Sequence, residues 1–185
     1  MSSNCLRLLA FLFLGAAPAL VQAEVLDSGP GGFTVRGTVT LRVPPTVAYQ
    51  KFVRNVADWW DSSHTFSRDA GNLAMDDKPG ACLCEKFPDG GGVKHLEVVY
   101  AAPGKALGLR GAMGPMLTLG LTAGLEIRFA AEGSGTKVTY TYSVGGYVPK
   151  GANTWAAPVD GMLAGTFSRF ETYANTGSPD GKPTK

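Results

Sequence analysis

Two histidines, two neighbouring cysteines and a few cross-strand charges carry most of the chemistry available to this 185-residue chain. His95, Glu85, Glu97 and Arg110 fall on segments that alternate as strands. If the turn at Asp89-Gly90-Gly91-Gly92 is symmetric, Glu85 opposes His95; if the turn at Pro103-Gly104 is symmetric, Glu97 opposes Arg110. A histidine beside a carboxylate inside a cavity can orient a polar ligand group or act as acid or base. All four share a face with Leu83, Val99 and Ala112, whereas Cys82, Cys84, Leu96, Val98, Tyr100, Leu107 and Leu109 make the other face more apolar. On apolarity alone the quartet is the solvated face, its pairs worth about 0.2–1 kcal/mol each. A one-residue slip reverses that assignment.

Cys82 and Cys84 lie two residues apart on one strand. Regular pitch separates their Cα atoms by about 6.5–7 Å, at or beyond bridging distance, so free thiols or an intermolecular bond are expected. His64 and His95 together with these cysteines match no closed zinc pattern, and no metal is expected. The sequence contains no nucleophile elbow, P-loop or dinucleotide-binding glycine fingerprint, so no cofactor is expected either.

The elements that position these residues are legible from periodicity. Residues 34–43 alternate as a half-buried strand, ended by Pro44-Pro45. Tyr49, Phe52, Val53, Val56 and Trp59 or Trp60 then recur at helical spacing, as one amphipathic helix or two short ones. Neighbours on a helix point about 100° apart, so Trp59 and Trp60 cannot both face one core; one is free to line a cavity mouth near His64. Strands are expected at 81–87, 93–101 and 106–112, with an uncharged apolar loop from Gly111 to Leu125. In the next hairpin Leu125, Ile127 and Phe129 oppose Val138, Tyr140 and Tyr142. Trp155, Val159, Met162, Leu163, Thr166, Phe170 and Tyr173 mark a long amphipathic helix, and residues 177–185 form a polar tail. The order predicts one α+β domain in which a curved antiparallel sheet wraps around the long C-terminal helix.

Residues 1–23 read as a secretory signal. Arg7 precedes the apolar run from Leu8 to Phe13, and cleavage is expected after Ala23. The run is shorter than the roughly 20 residues that span a bilayer, so no stable membrane insertion is expected once it is removed. Without Arg7 the chain carries 16 basic and 15 acidic residues, net +1, which leaves no electrostatic footprint for nucleic acid. The domain is therefore expected over 24–176, periplasmic or secreted.

Several stretches resemble the START-like, or SRPBCC, superfamily, in particular a bacterial branch related to the Hsp90 ATPase activator homologues. They are Pro44-Pro45, Asp58-Trp59-Trp60, Pro79-Gly80-Ala81-Cys82-Leu83-Cys84-Glu85, Gly91-Gly92-Val93-Lys94-His95 and Leu109-Arg110-Gly111-Ala112-Met113-Gly114-Pro115. The resemblance spans roughly residues 33–175 and implies the helix-grip fold of birch-pollen-allergen-like proteins and polyketide cyclases, with a cavity between sheet and last helix. It does not imply one reaction. An exported chain does not meet a cytosolic chaperone, so Hsp90 activation is not expected. The first reading is a binder of a lipid, polyketide or other apolar ligand, monomeric or weakly dimeric, with Trp59, Trp60, His64, Met113, Met116, Tyr147, Trp155 and Met162 around the ligand. An alternative is a metal-free cyclase or dehydratase using His95, Glu85 and Arg110. A further alternative is a protein-interaction module using the apolar loop from Met113 to Leu121.

Overall fold

The computed structural model describes residues 22–182; most of the signal segment therefore lies outside the described residues. Eight strands among them form one antiparallel sheet: β1 (Gln22–Gly29), β2 (Gly32–Leu41), β3 (Leu73–Met75), β4 (Cys82–Lys86), β5 (Gly92–Ala102), β6 (Ala106–Arg110), β7 (Gly120–Glu132) and β8 (Gly135–Tyr147). Their order across the sheet is β1-β2-β8-β7-β6-β5-β4-β3. Two short helices, α1 (Pro45–Arg54) and α2 (Val56–Trp59), follow β2, and a long helix, α3 (Ala156–Thr176), closes the chain.

The amphipathic patterns act as expected in the middle of the sheet. Leu125 pairs with Tyr142, Ile127 with Tyr140 and Phe129 with Val138, all six buried. Gly37 of β2 lies opposite Tyr140, and a Cβ there would overlap the tyrosine hydroxyl, so the glycine lets the ring lie flat across the strand. Phe167 of α3 stacks on Tyr140 with ring centroids 4.0 Å apart. Phe52, Trp59 and Phe170 complete an aromatic cluster, in which truncating Phe167 or Phe170 to alanine should cost about 3–5 kcal/mol. α3 ends at Gly177, whose left-handed φ of 84° carries its N–H back to the carbonyl of Tyr173.

Two strands had no signal in the residue pattern. β1 is an edge strand with Glu24 to Ser28 exposed, so no buried face stamps alternation on its sequence. β3 has only three residues. The expected loop at 111–125 is a 3-10 turn over Gly114–Thr118 followed directly by β7, which starts earlier than its alternation revealed.

Candidate functional site

The aromatic cluster fills the space between sheet and α3 at one end only. Toward the N-terminus of α3 a cavity of about 430 Å³ remains, lined by Trp60, Ser63, His64, Thr65, Phe66, and His95 on the sheet and loop side. Met113, Gly114, Pro115 and Met116 form one wall, and Trp155, Pro158, Val159 and Met162 form the lid-side wall. Of the residues expected around a ligand, Trp60, His64, Met113, Met116, Trp155 and Met162 are thus brought together. Trp59 and Tyr147 are not. Trp59 is fully buried against Phe52 and Phe170, while Trp60, the next residue, turns toward the cavity and donates from Nε1 to the carbonyl of His64 at 3.3 Å. Tyr147 is 78% exposed, because the inward residues of β8 are the even-numbered Val138, Tyr140, Tyr142 and Val144.

His95 reaches the cavity wall with Glu85 behind it, Nε2 to Oε2 at 2.9 Å; the two are only 5% and 1% exposed. The solvated-face expectation is wrong for this pair and right for its companions. The β4–β5 turn is centred on Asp89, one residue earlier than the expected pairing requires, so Glu85 pairs with Val93 rather than His95. Cys84 then pairs with Lys94 and Leu83 with Leu96, leaving His95 as the extra residue of a β-bulge. Both His95 and Leu96 consequently point inward, and the alternation is inverted beyond them. Val98 and Leu109 are buried, whereas Arg110 is exposed and Glu97 sits beside it facing away from the core. Arg110, expected in the alternative catalytic set, is therefore outside the cavity. Glu97 does pair with Arg110, through two compensating departures: the loop closes at Ala102 and Ala106 instead of tightly around Pro103-Gly104, and a second bulge between Val98 and Tyr100 restores the register.

Glu85 also receives the backbone N–H groups of Phe66, at 3.0 Å, and Ser67. Burial works against its ionisation, but the hydrogen bonds from Ser67, Phe66 and His95 outweigh it and hold the carboxyl near pKa 2. The donating loop turns at Arg68, which adopts a left-handed φ of 59°. Asp61 and Asp69 fold the same loop by accepting from Ser63 and Gly71 at 2.8 Å each. These aspartate turns are the signal in the sequence that 61–72 is ordered, and hence that Ser63, Thr65 and Phe66, absent from the expected set, reach the cavity.

No protein-family profile matches the chain, and no curated protein does. Solved structures do. The chain is similar to the Aha1 dimer from Colwellia psychrerythraea at 14% identity and a TM-score of 0.56, covering 78% of this chain and 97% of that one. It is similar to Ara h 8.0201 at 13% identity and a TM-score of 0.54, covering 78% and 98%. DynU16, from the dynemicin biosynthetic locus, aligns at 21% identity and a TM-score of 0.55 over 79% of this chain and 48% of its own. At these identities the likeness is one of fold. The chain has a helix-grip fold.

Two features adapt that helix-grip frame. Cys82 and Cys84 form an intramolecular disulfide, against the expectation of free thiols; the bulged stretch brings their Cα atoms to 5.4 Å, well inside bridging range. The disulfide lies on the face away from the cavity, across from Lys94 and Glu97, which themselves pair at 2.7 Å. On the other wall, the Tyr142 hydroxyl donates to the carbonyl of Gly111 at 3.0 Å and accepts from the N–H of Met113 at 3.2 Å. Burial raises its pKa to about 12, so it stays a neutral donor that pins the methionine wall to the sheet. Among the described residues no three His, Cys, Asp or Glu side chains converge on a metal position.

Proposed function

We propose that this chain is an exported binding protein for a small, mainly apolar molecule held at the N-terminal end of α3. The cavity carries the reading. Its volume of about 430 Å³ lies within the roughly 300–1,000 Å³ of small-molecule sites, and its walls are Trp, Met, Pro and Val with a few polar groups on one side. The methionines give that wall adaptable side chains. A lipid or polyketide fits this description, and the origin of DynU16 in the dynemicin biosynthetic locus agrees with it. Export has the support of the Cys82–Cys84 disulfide, because such bonds persist in oxidising compartments and are rare in the cytosol. We take the protein to act as a monomer or weak dimer.

One observation favours a second reading, a metal-free cyclase or dehydratase: a buried His95 with its ring fixed by Glu85 is suited to proton transfer. Native mass spectrometry of protein purified from its own host separates the two. A copurified apolar molecule released unchanged supports the binder, and one returned chemically altered after incubation supports the enzyme. Protein that carries no such molecule and takes up no apolar probe overturns both.

A further inference from the structure

The bonds around Glu85 fix the polarity that His95 offers the cavity. An ionised carboxylate only accepts hydrogen bonds. Its three partners are the Phe66 and Ser67 N–H groups and Nε2 of His95, so the proton of the third bond sits on Nε2. In the neutral ring Nδ1 is then an acceptor, and no described residue donates to it. The charges agree. None of the residues lining the cavity is Lys, Arg, Asp or Glu, and a carboxylate, Glu85, stands directly behind His95. A ligand carrying its own carboxylate would lose hydration without meeting a cation and would face Glu85 through one ring.

The geometry points to a neutral ligand that donates a hydroxyl, phenolic or enolic, to His95 Nδ1, and to the rejection of apolar carboxylates such as fatty acids. This rests on the binding reading above and goes further by naming the head group and its partner. His64, Ser63 and Thr65 are the other polar side chains of the wall. They are competing sites for the hydroxyl, and the test must tell them apart from His95.

The test is isothermal titration of the full mature protein with four probes on one skeleton: naphthalene, 1-naphthol, its methyl ether and 1-naphthoate. Naphthol should bind roughly threefold to tenfold tighter than naphthalene or the ether, as expected for one net hydrogen bond, and naphthoate should bind weakest. In His95→Phe, checked for folding by circular dichroism, the ratio of naphthol to naphthalene affinity should fall to about one. Where that variant does not fold, nitrogen NMR of the wild type replaces it: naphthol, and not the ether, should shift the His95 Nδ1 resonance. Naphthoate binding as tightly as naphthol, an ether equal to naphthol, or an advantage that survives His95→Phe overturns the inference while leaving the cavity reading intact. Failure of naphthalene itself to bind overturns the cavity reading and the inference with it.

Discussion

His95 Nε2 lies 2.9 Å from Oε2 of Glu85, although the strand partner of Glu85 is Val93. A regular ladder would place His95 two positions from that pairing, within diagonal reach for long side chains only. The bulge removes the difficulty by adding His95 as an unpaired residue, which leans it onto the buried carboxylate. Glu85 and His95 already share the inward parity of the Glu85–Val93 pair, and the inserted residue inverts the alternation after them, turning Glu97 and Arg110, the other half of the same charged pattern, to the face away from the core.

Glu85 should make the protein acid-sensitive in a defined window. Its carboxyl falls from an ordinary 4.5 to about 2 in the fold, so its contribution is complete above pH 4.5 and is lost as pH falls from there toward 2. The size is about 3 kcal/mol. Denaturant unfolding of the wild type and Glu85→Gln should differ by about that much at pH 7 and converge near pH 2. A constant difference across the range would mean that Glu85 is not held ionised by the Phe66 and Ser67 amides.

The Cys82–Cys84 disulfide should matter locally more than globally. It closes a loop of three residues, for which chain entropy gives only about 1–2 kcal/mol. Its position across from Lys94 and Glu97, on either side of the bulge, makes the bulge its target. In a Cys82→Ser, Cys84→Ser double variant the midpoint of unfolding should move little, while hydrogen exchange at Leu83, Lys94 and Leu96 accelerates. Unchanged exchange at those amides would show that the bulge stands without the bond.

The parts of the fold with one wet and one dry face were readable because such faces force a period: β2, the β7–β8 hairpin and α3 all lie where their residues indicated. The cavity residues were partly readable for the same reason. Helical angle separates Trp60 from Trp59, and apolar residues without alternation at 113–116 mark a wall rather than a strand. The bulge was not readable. Residues 92–98 alternate acceptably in either register, and the choice is made by Glu85, which needs three donors once buried, and by the disulfide. Both are contacts to residues distant along the chain or across the strand, and they leave no period. Tyr147 failed for the opposite reason: an aromatic near the cavity's end of the chain was read by type, when strand parity already directed it outward.

Export predicts a mature chain that begins at Glu24. Glu24 belongs to β1 and pairs with Arg36, so cleavage after Ala23 leaves the strand from Glu24 to Gly29 available to close the edge beside β2. Amino-terminal sequencing of protein from its own host should find Glu24 first. Soluble protein in the cytosol that retains Met1 would remove both the proposed location and the reason for setting Hsp90 activation aside.

Met162 offers the most direct control over the cavity. It sits one turn before Thr166, whose hydroxyl contacts its sulfur at 3.5 Å, and its side chain faces Trp155 and the Met113–Met116 wall across the open space. The residues that hold α3 on the sheet, Leu163, Phe167 and Phe170, are buried on a different side of the helix. Met162→Trp should therefore fill the cavity from within while the aromatic cluster keeps the helix in place. Overpacking limits the cost to about 1–3 kcal/mol, and a cooperative thermal transition should survive. Uptake of naphthalene should fall at least tenfold. If the folded variant takes up the probe as well as the wild type does, the bound molecule lies somewhere other than between α3 and the His95 wall, and the proposed site is wrong.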